Sequence, residues 1–163
     1  MQKILIISTG GTFNKVYKPL NGELEIDKTS SAIKKIASKW LCKFEVINII
    51  GKDSLEMTQQ DRTKLLDTIK NTQHSYIIVI HGTDTMDISA SYLAENKLAK
   101  HIVFTGAMVP YSIDPVEATA NLASAYGYVQ ALEEDGVYIA MNGVIGSYDM
   151  VLKDRVNGCF KAM

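Results

Sequence analysis

The run Tyr76-Ile77-Ile78-Val79-Ile80 passes without a break into His81-Gly82-Thr83-Asp84-Thr85. It is short, β-branched and uncharged, the pattern of a strand buried on both faces of a parallel sheet. Hydroxyl, carboxylate and imidazole groups then crowd together, and residues 86–97 read as a helix. Ligands of open α/β sheets bind outside the carboxyl ends of strands, so a chain built this way puts its chemistry at that junction. The same design opens the sequence, where Lys3-Ile4-Leu5-Ile6-Ile7 runs into Ser8-Thr9-Gly10-Gly11-Thr12.

The rest of the chain alternates in step. Residues 1–7 read as the first strand and Ser8 to Thr12 as the loop after it. The stretch 13–26 is polar and turn-rich, punctuated by Pro19 and Asn21-Gly22, and long connections of this kind tend to be functional or mobile. Thr29 or Ser30 caps a helix through about Trp40, with Ile33, Ile36 and Ala37 as its buried stripe. Residues 44–50 form a strand, and Thr58 with Asp61 starts a helix carrying Leu65, Leu66 and Ile69. A helix around 89–98 and a strand at 102–105 lead to Gly106-Ala107-Met108. Asp114-Pro115-Val116-Glu117 supplies a cap, a first-turn proline and an acid for a helix to about Leu132, and a strand follows at 137–141. The tail, residues 142–163, is punctuated by glycine and holds Lys153. The pattern predicts a single α/β domain over residues 1–163, a three-layer α/β/α sandwich with a mostly parallel, Rossmann-like sheet. It does not set the strand order.

Composition narrows the function. A formal net charge of −1 gives no electrostatic reason for a nucleic-acid or anionic-membrane partner. Cys42 and Cys159 make neither a metal spacing nor a disulfide framework, which suits a reducing compartment. The N-terminus lacks the features of a signal peptide, and no apolar run approaches the roughly 20 residues that span a bilayer. The expected location is the cytoplasm.

Each polar group at the strand ends has a functional and a plain reading. Thr9-Gly10-Gly11-Thr12 can hold an anion or a developing oxyanion on free N–H groups, or be a turn whose glycines permit positive φ. It has neither dinucleotide-binding nor P-loop spacing. Thr83 and Asp84 offer a hydroxyl and a carboxylate, or serve as a helix cap. Lys153 reads as a solvated lysine; buried beside Asp84, it is held neutral for part of its time and relays a proton from a threonine. His81 reads as structural, and His74 and His101 suggest no metal set. Tyr17 is a candidate lid residue or an exposed loop tyrosine, and Ser54 a turn residue or an anion-binding hydroxyl.

Thr9-Gly10-Gly11-Thr12, His81-Gly82-Thr83-Asp84-Thr85 and Gly106-Ala107-Met108 together resemble the bacterial-type L-asparaginase family, and the similarity runs the length of the chain. The resemblance implies that Thr12 is the nucleophile on a side-chain amide, and that Thr83, Asp84 and Lys153 act together in proton transfer. It further implies a backbone N–H from Ala107 in the oxyanion hole, the substrate carboxylate on Ser54, substrate contacts by Gly11 and Gly82, and Tyr17 as the mobile-loop tyrosine. No cofactor or metal is implied. Family members carry a second, smaller domain beyond the point where this sequence stops, and Leu55 stands where many have a polar residue contacting the substrate ammonium. The expectation is therefore an amidohydrolase releasing ammonia from asparagine or a related small ω-amide, with asparagine a poor substrate. The other reading is a small-ligand-binding domain that retains the fold and performs no chemistry. A surface bared by the absent domain predicts a homo-oligomer, most simply a two-fold dimer.

Overall fold

The computed structural model describes residues 3–41 and 43–163; the start of the first expected strand and Cys42 lie outside them. The elements run β1 (Ile4–Gly10), β2 (Lys15–Lys18), β3 (Glu23–Ile26), α1 (Ser31–Lys39) and β4 (Glu45–Lys52). Next come α2 (Gln59–Asn71), β5 (Tyr76–Ile80), α3 (Met86–Glu95), β6 (His101–Thr105) and α4 (Pro115–Ala131). The chain continues through β7 (Gly136–Met141), β8 (Val144–Ser147), β9 (Val151–Asp154) and β10 (Cys159–Ala162).

The central sheet has the order β4-β1-β5-β6-β7-β8. Its first five strands are parallel, and β8 turns back antiparallel on β7. Strand side chains alternate between two cores. Leu5, Ile7, Ile77, Val79, Ile102 and Phe104 pack in one core with Leu65 and Ile69 of α2 and Ala90 and Leu93 of α3. Ile4, Ile6, Ile78, Ile80 and Val103 pack in the other with Ile33 and Ile36 of α1 and Leu122, Ala125 and Val129 of α4. Burying each such aliphatic side chain contributes about 1.5–3 kcal/mol, so both helical layers are held by the strands they cover. This is the expected three-layer sandwich. The order reverses between β1 and β5, and that reversal opens a crevice at their carboxyl ends.

Four local expectations differ. β1 runs on to Gly10, because Ser8 is still laddered to Asn48 and Ile80 on its two neighbours. The stretch 13–26 is largely a hairpin, β2 against β3, turning near Asn21-Gly22. Its strands carry Lys15, Lys18, Glu23 and Glu25, so no apolar alternation marks them. Neither Thr29 nor Ser30 caps α1 through its side chain: Ser30 is left-handed at φ 59°, and the Asp27 carboxylate accepts from the Thr29 and Ser31 N–H groups instead. The tail forms three short strands, with β9 and β10 a separate antiparallel pair. The Thr58–Asp61 capping box on α2 is present as expected.

Candidate active site

The loops after β1, β4 and β5 meet at two glycines. Gly11 has φ 76°, and a Cβ there would lie 2.5 Å from the Gly82 nitrogen and 2.7 Å from its Cα. A Cβ on Gly82 would in turn lie 2.6 Å from both Cβ and Oγ of Ser54. Gly11, Gly82 and Ser54 therefore sit in file, at contacts too close to admit a side chain on either glycine. Thr12, one residue beyond Gly11, opens a single 3-10 turn, Thr12–Asn14. That turn is fixed by fully buried Phe13 and by Asn14, whose Nδ2 donates to Gly10 O at 2.8 Å and Ser8 Oγ at 3.2 Å.

Lys153 comes from β9, across from buried Phe160 of β10. Its Nζ donates to Thr83 Oγ1 at 2.8 Å and to Asp84 Oδ1 at 2.7 Å. The lysine side chain is only 11% exposed, so the solvated reading does not hold. Nor do Thr83 and Asp84 cap α3: the N-cap is Thr85, which makes no side-chain cap bond and donates its hydroxyl to Ser54 O. The result is a hydroxyl, an amine and a carboxylate in one hydrogen-bonded chain. Such a chain moves a proton or stabilises an alkoxide.

Ser54 is 1% exposed, and its Oγ has no hydrogen-bond partner among the described residues. An orphaned buried hydroxyl costs about 1–3 kcal/mol unless something fills its valence. Beside it, Asp53 pairs with Lys15 at 2.8 Å. Partial burial works against the Asp53 carboxylate, but the bonds from Lys15 and the Leu55 N–H outweigh it and hold its pKa below the usual range. Leu55 itself is exposed. Ala107 is buried in the loop after β6, and Met108 of that loop receives the Thr83 hydroxyl at its Sδ, 3.4 Å away. Tyr17 lies on the outer part of the hairpin at 59% exposure, and no hydrogen bond joins it to the Lys153 cluster among the described residues.

Two cations escaped the sequence reading. Lys15 and Arg155, the latter donating to Asp84 O at 2.6 Å, are ordinary surface residues by every sequence signal. His74 bonds Glu45 and Thr72, and His101 bonds the Glu134 carbonyl. His81 is fully buried, flanked by Gly82 O at 2.7 Å and Ser89 Oγ at 2.8 Å, and Ser89 accepts from Arg62 Nε. Burial pushes the His81 pKa from 6.5 down to about 4, with the Arg62 guanidinium adding to the effect. The unfolded chain therefore binds a proton through pH 6.5 that the folded one refuses until about 4. Stability from this group is complete above pH 6.5 and falls away toward pH 4, by about 3 kcal/mol in all. Urea unfolding across that range, on wild type and His81→Gln, measures it; the variant's stability should fall less steeply.

The family profile described as "Asparaginase, N-terminal" matches residues 3–157. A probable periplasmic L-asparaginase of Haemophilus influenzae is 31% identical over 92% of this chain and 46% of its own length. Among solved structures, the probable cytoplasmic L-asparaginase of Campylobacter jejuni superposes with a TM-score of 0.83 at 26% identity, covering 99% of this chain and 54% of that one. The thermostable L-asparaginase of Thermococcus kodakarensis gives the same TM-score at 23% identity, with 99% and 51% covered, and so shares the fold. The chain spans about half the length of each of these three proteins.

Proposed function

Since the chain belongs to the asparaginase family, we propose that it is a threonine-dependent amidohydrolase acting on asparagine or a related small ω-amide. The observation that carries this reading is the chain Thr83–Lys153–Asp84, closed by bonds of 2.8 and 2.7 Å beside the loop that bears Thr12. Thr12 Oγ adds to the amide carbonyl carbon while its proton passes to the Thr83–Lys153 pair. The tetrahedral oxyanion rests on the Ala107 N–H. The C–N bond then breaks, the relayed proton reaches the leaving nitrogen, and ammonia departs. Water adds to the acyl-Thr12 ester and releases the acid, regenerating the hydroxyl.

Ser54 Oγ is assigned to the substrate carboxylate, the Gly11 and Gly82 backbone to the walls, and the hairpin bearing Tyr17 to the cover. No cofactor or metal enters the scheme. Asparagine is expected to be a poor substrate. Ammonia release from asparagine, glutamine and simple ω-amides tests the proposal, with Thr12→Ala as control. Absence of Thr12-dependent turnover on every amide would end it. The binding-only alternative calls for a lysine facing solvent, and the burial of Lys153 weighs against it.

The chain is further proposed to act as one α/β unit and as a two-fold homodimer. Sedimentation giving only monomer would remove the dimer. Among the described residues, no helix is long and apolar enough to cross a membrane. An exposed free thiol at Cys159 fits the proposed cytoplasmic setting.

A further inference from the structure

Ala107 sits between residues that are held by helix α4. The first two turns of α4 reach the loop after β6 from both sides of this residue. Asn121 Nδ2 donates to Gly106 O at 2.9 Å. One turn earlier, Glu117 Oε1 accepts from the Met108 N–H and Oε2 from the Val109 N–H, each at 2.9 Å. The same two side chains grip the turn after β7, since Asn142 N donates to Asn121 Oδ1 at 2.8 Å and Asn142 Nδ2 to Glu117 Oε1 at 3.0 Å.

Peptide planarity turns this grip into a direction. In a trans peptide the C=O and the next N–H point opposite ways. With Gly106 O drawn toward α4, the N–H of Ala107 is turned away from it. With the Met108 N–H drawn to Glu117, the Ala107 C=O is likewise turned away from α4. The helix thus takes the loop's other polar groups and leaves those of Ala107 to the opposite side. Thr83 reaches the same loop through Met108 Sδ. A neutral side chain at position 117 does not reproduce the grip, because glutamine accepts at one terminal atom and presents a donor at the other.

We propose that Glu117, seconded by Asn121, is a positioning residue that aims the Ala107 N–H at the developing oxyanion, an inference that rests on the amide-cleaving reading above. Such a donor acts in the transition state more than in the ground state, so its misalignment lowers kcat and spares KM. Removing an oxyanion donor outright lowers kcat by about 10²–10³. Misaiming one by Glu117→Gln should lower it by at least about tenfold, with KM within about twofold.

The experiment pairs those kinetics with residue-resolved amide exchange on wild type, Glu117→Gln and Glu117→Ala. Faster exchange at Met108 and Val109, with the amides of α4 unchanged and kcat reduced, is the expected result. Unaltered loop exchange would overturn the proposal, and so would faster exchange with full kcat. A kcat loss that merely tracks the folded fraction would reassign Glu117 to a structural role. If wild type shows no Thr12-dependent turnover, the amide-cleaving reading and the aim at an oxyanion fall together, while loop exchange still reports whether Glu117 holds the loop.

Discussion

Replacing Lys153 by methionine should lower amide turnover about a thousandfold while leaving a folded protein, and Lys153→Arg should do nearly as much. Proton transfer by a positioned group contributes about 10²–10⁴ in rate, and Lys153 is the amine that Thr83 meets at 2.8 Å. Methionine keeps much of the volume and the apolar stem but removes both hydrogen bonds. The loss of the Asp84 ion pair itself is worth little, about 1 kcal/mol, because that carboxylate is 41% exposed. Arginine separates the two roles. A guanidinium preserves the positive charge beside Asp84 yet does not give up its proton, so it cannot take one from Thr83. Retention of near-wild-type kcat in Lys153→Arg would reduce the lysine to a fixed charge and remove the relay. Steady-state ammonia release with thermal melts on the same samples makes the distinction.

The second large effect belongs to Gly11. In Gly11→Ala, φ of 76° with ψ of 177° puts an L-residue in a region that essentially only glycine occupies, and the new methyl meets Gly82 backbone at 2.5 and 2.7 Å. Neither neighbour is the end of a flexible side chain, so the loops after β1 and β5 must part. The strain alone costs about 1–3 kcal/mol, and the clash adds to it. A total of about 4 kcal/mol would lower Tm by roughly 10 °C in a chain of this size. Turnover should fall further than stability, because the parting of those loops separates Thr12 from Thr83. Gly127→Ala supplies the opposite sign: it lies inside α4 and, its own helix backbone aside, none of the described residues comes within 4 Å of a new Cβ, so it should stabilise by about 0.5–1 kcal/mol. Equal melting of the two variants would refute the steric account.

How much of this was legible beforehand depends on where each signal resides. Long apolar strands and strong caps announce themselves, and β5, β6, β7, the Thr58–Asp61 box and the Asp114-Pro115 start of α4 were read from local pattern. Thr12, Thr83, Asp84 and Lys153 came from a resemblance, and the structure adds the contact between Gly11 and Gly82 together with the bonds from Lys153 to Thr83 and Asp84. The misses share a cause. β2 and β3 are exposed and charged, so they carry no period-two hydrophobic stripe, and the tail strands are only four residues each. Asp27 caps α1 from four residues before the helix begins, which displaces the expected role of Ser30. Glu117 looks like a dipole partner in the first turn of α4, and no pattern reveals that its carboxylate spans the two amides of Met108 and Val109 in the loop just before the helix. Lys15 and Arg155 gain meaning only from partners 38 and 71 positions away.

The amine of Lys153 is delivered by a two-stranded ribbon, β9 with β10, that stands outside the six-stranded sheet. Val151 and Phe160 are the buried residues that pin this ribbon to the body of the protein. Peeling it away breaks none of the parallel ladder, so folding and competence are separate equilibria. On warming, such a molecule falls silent before it melts, and the gap between the two temperatures reports the grip of Val151 and Phe160 together with the bonds that Lys153 and Arg155 make to the loop after β5.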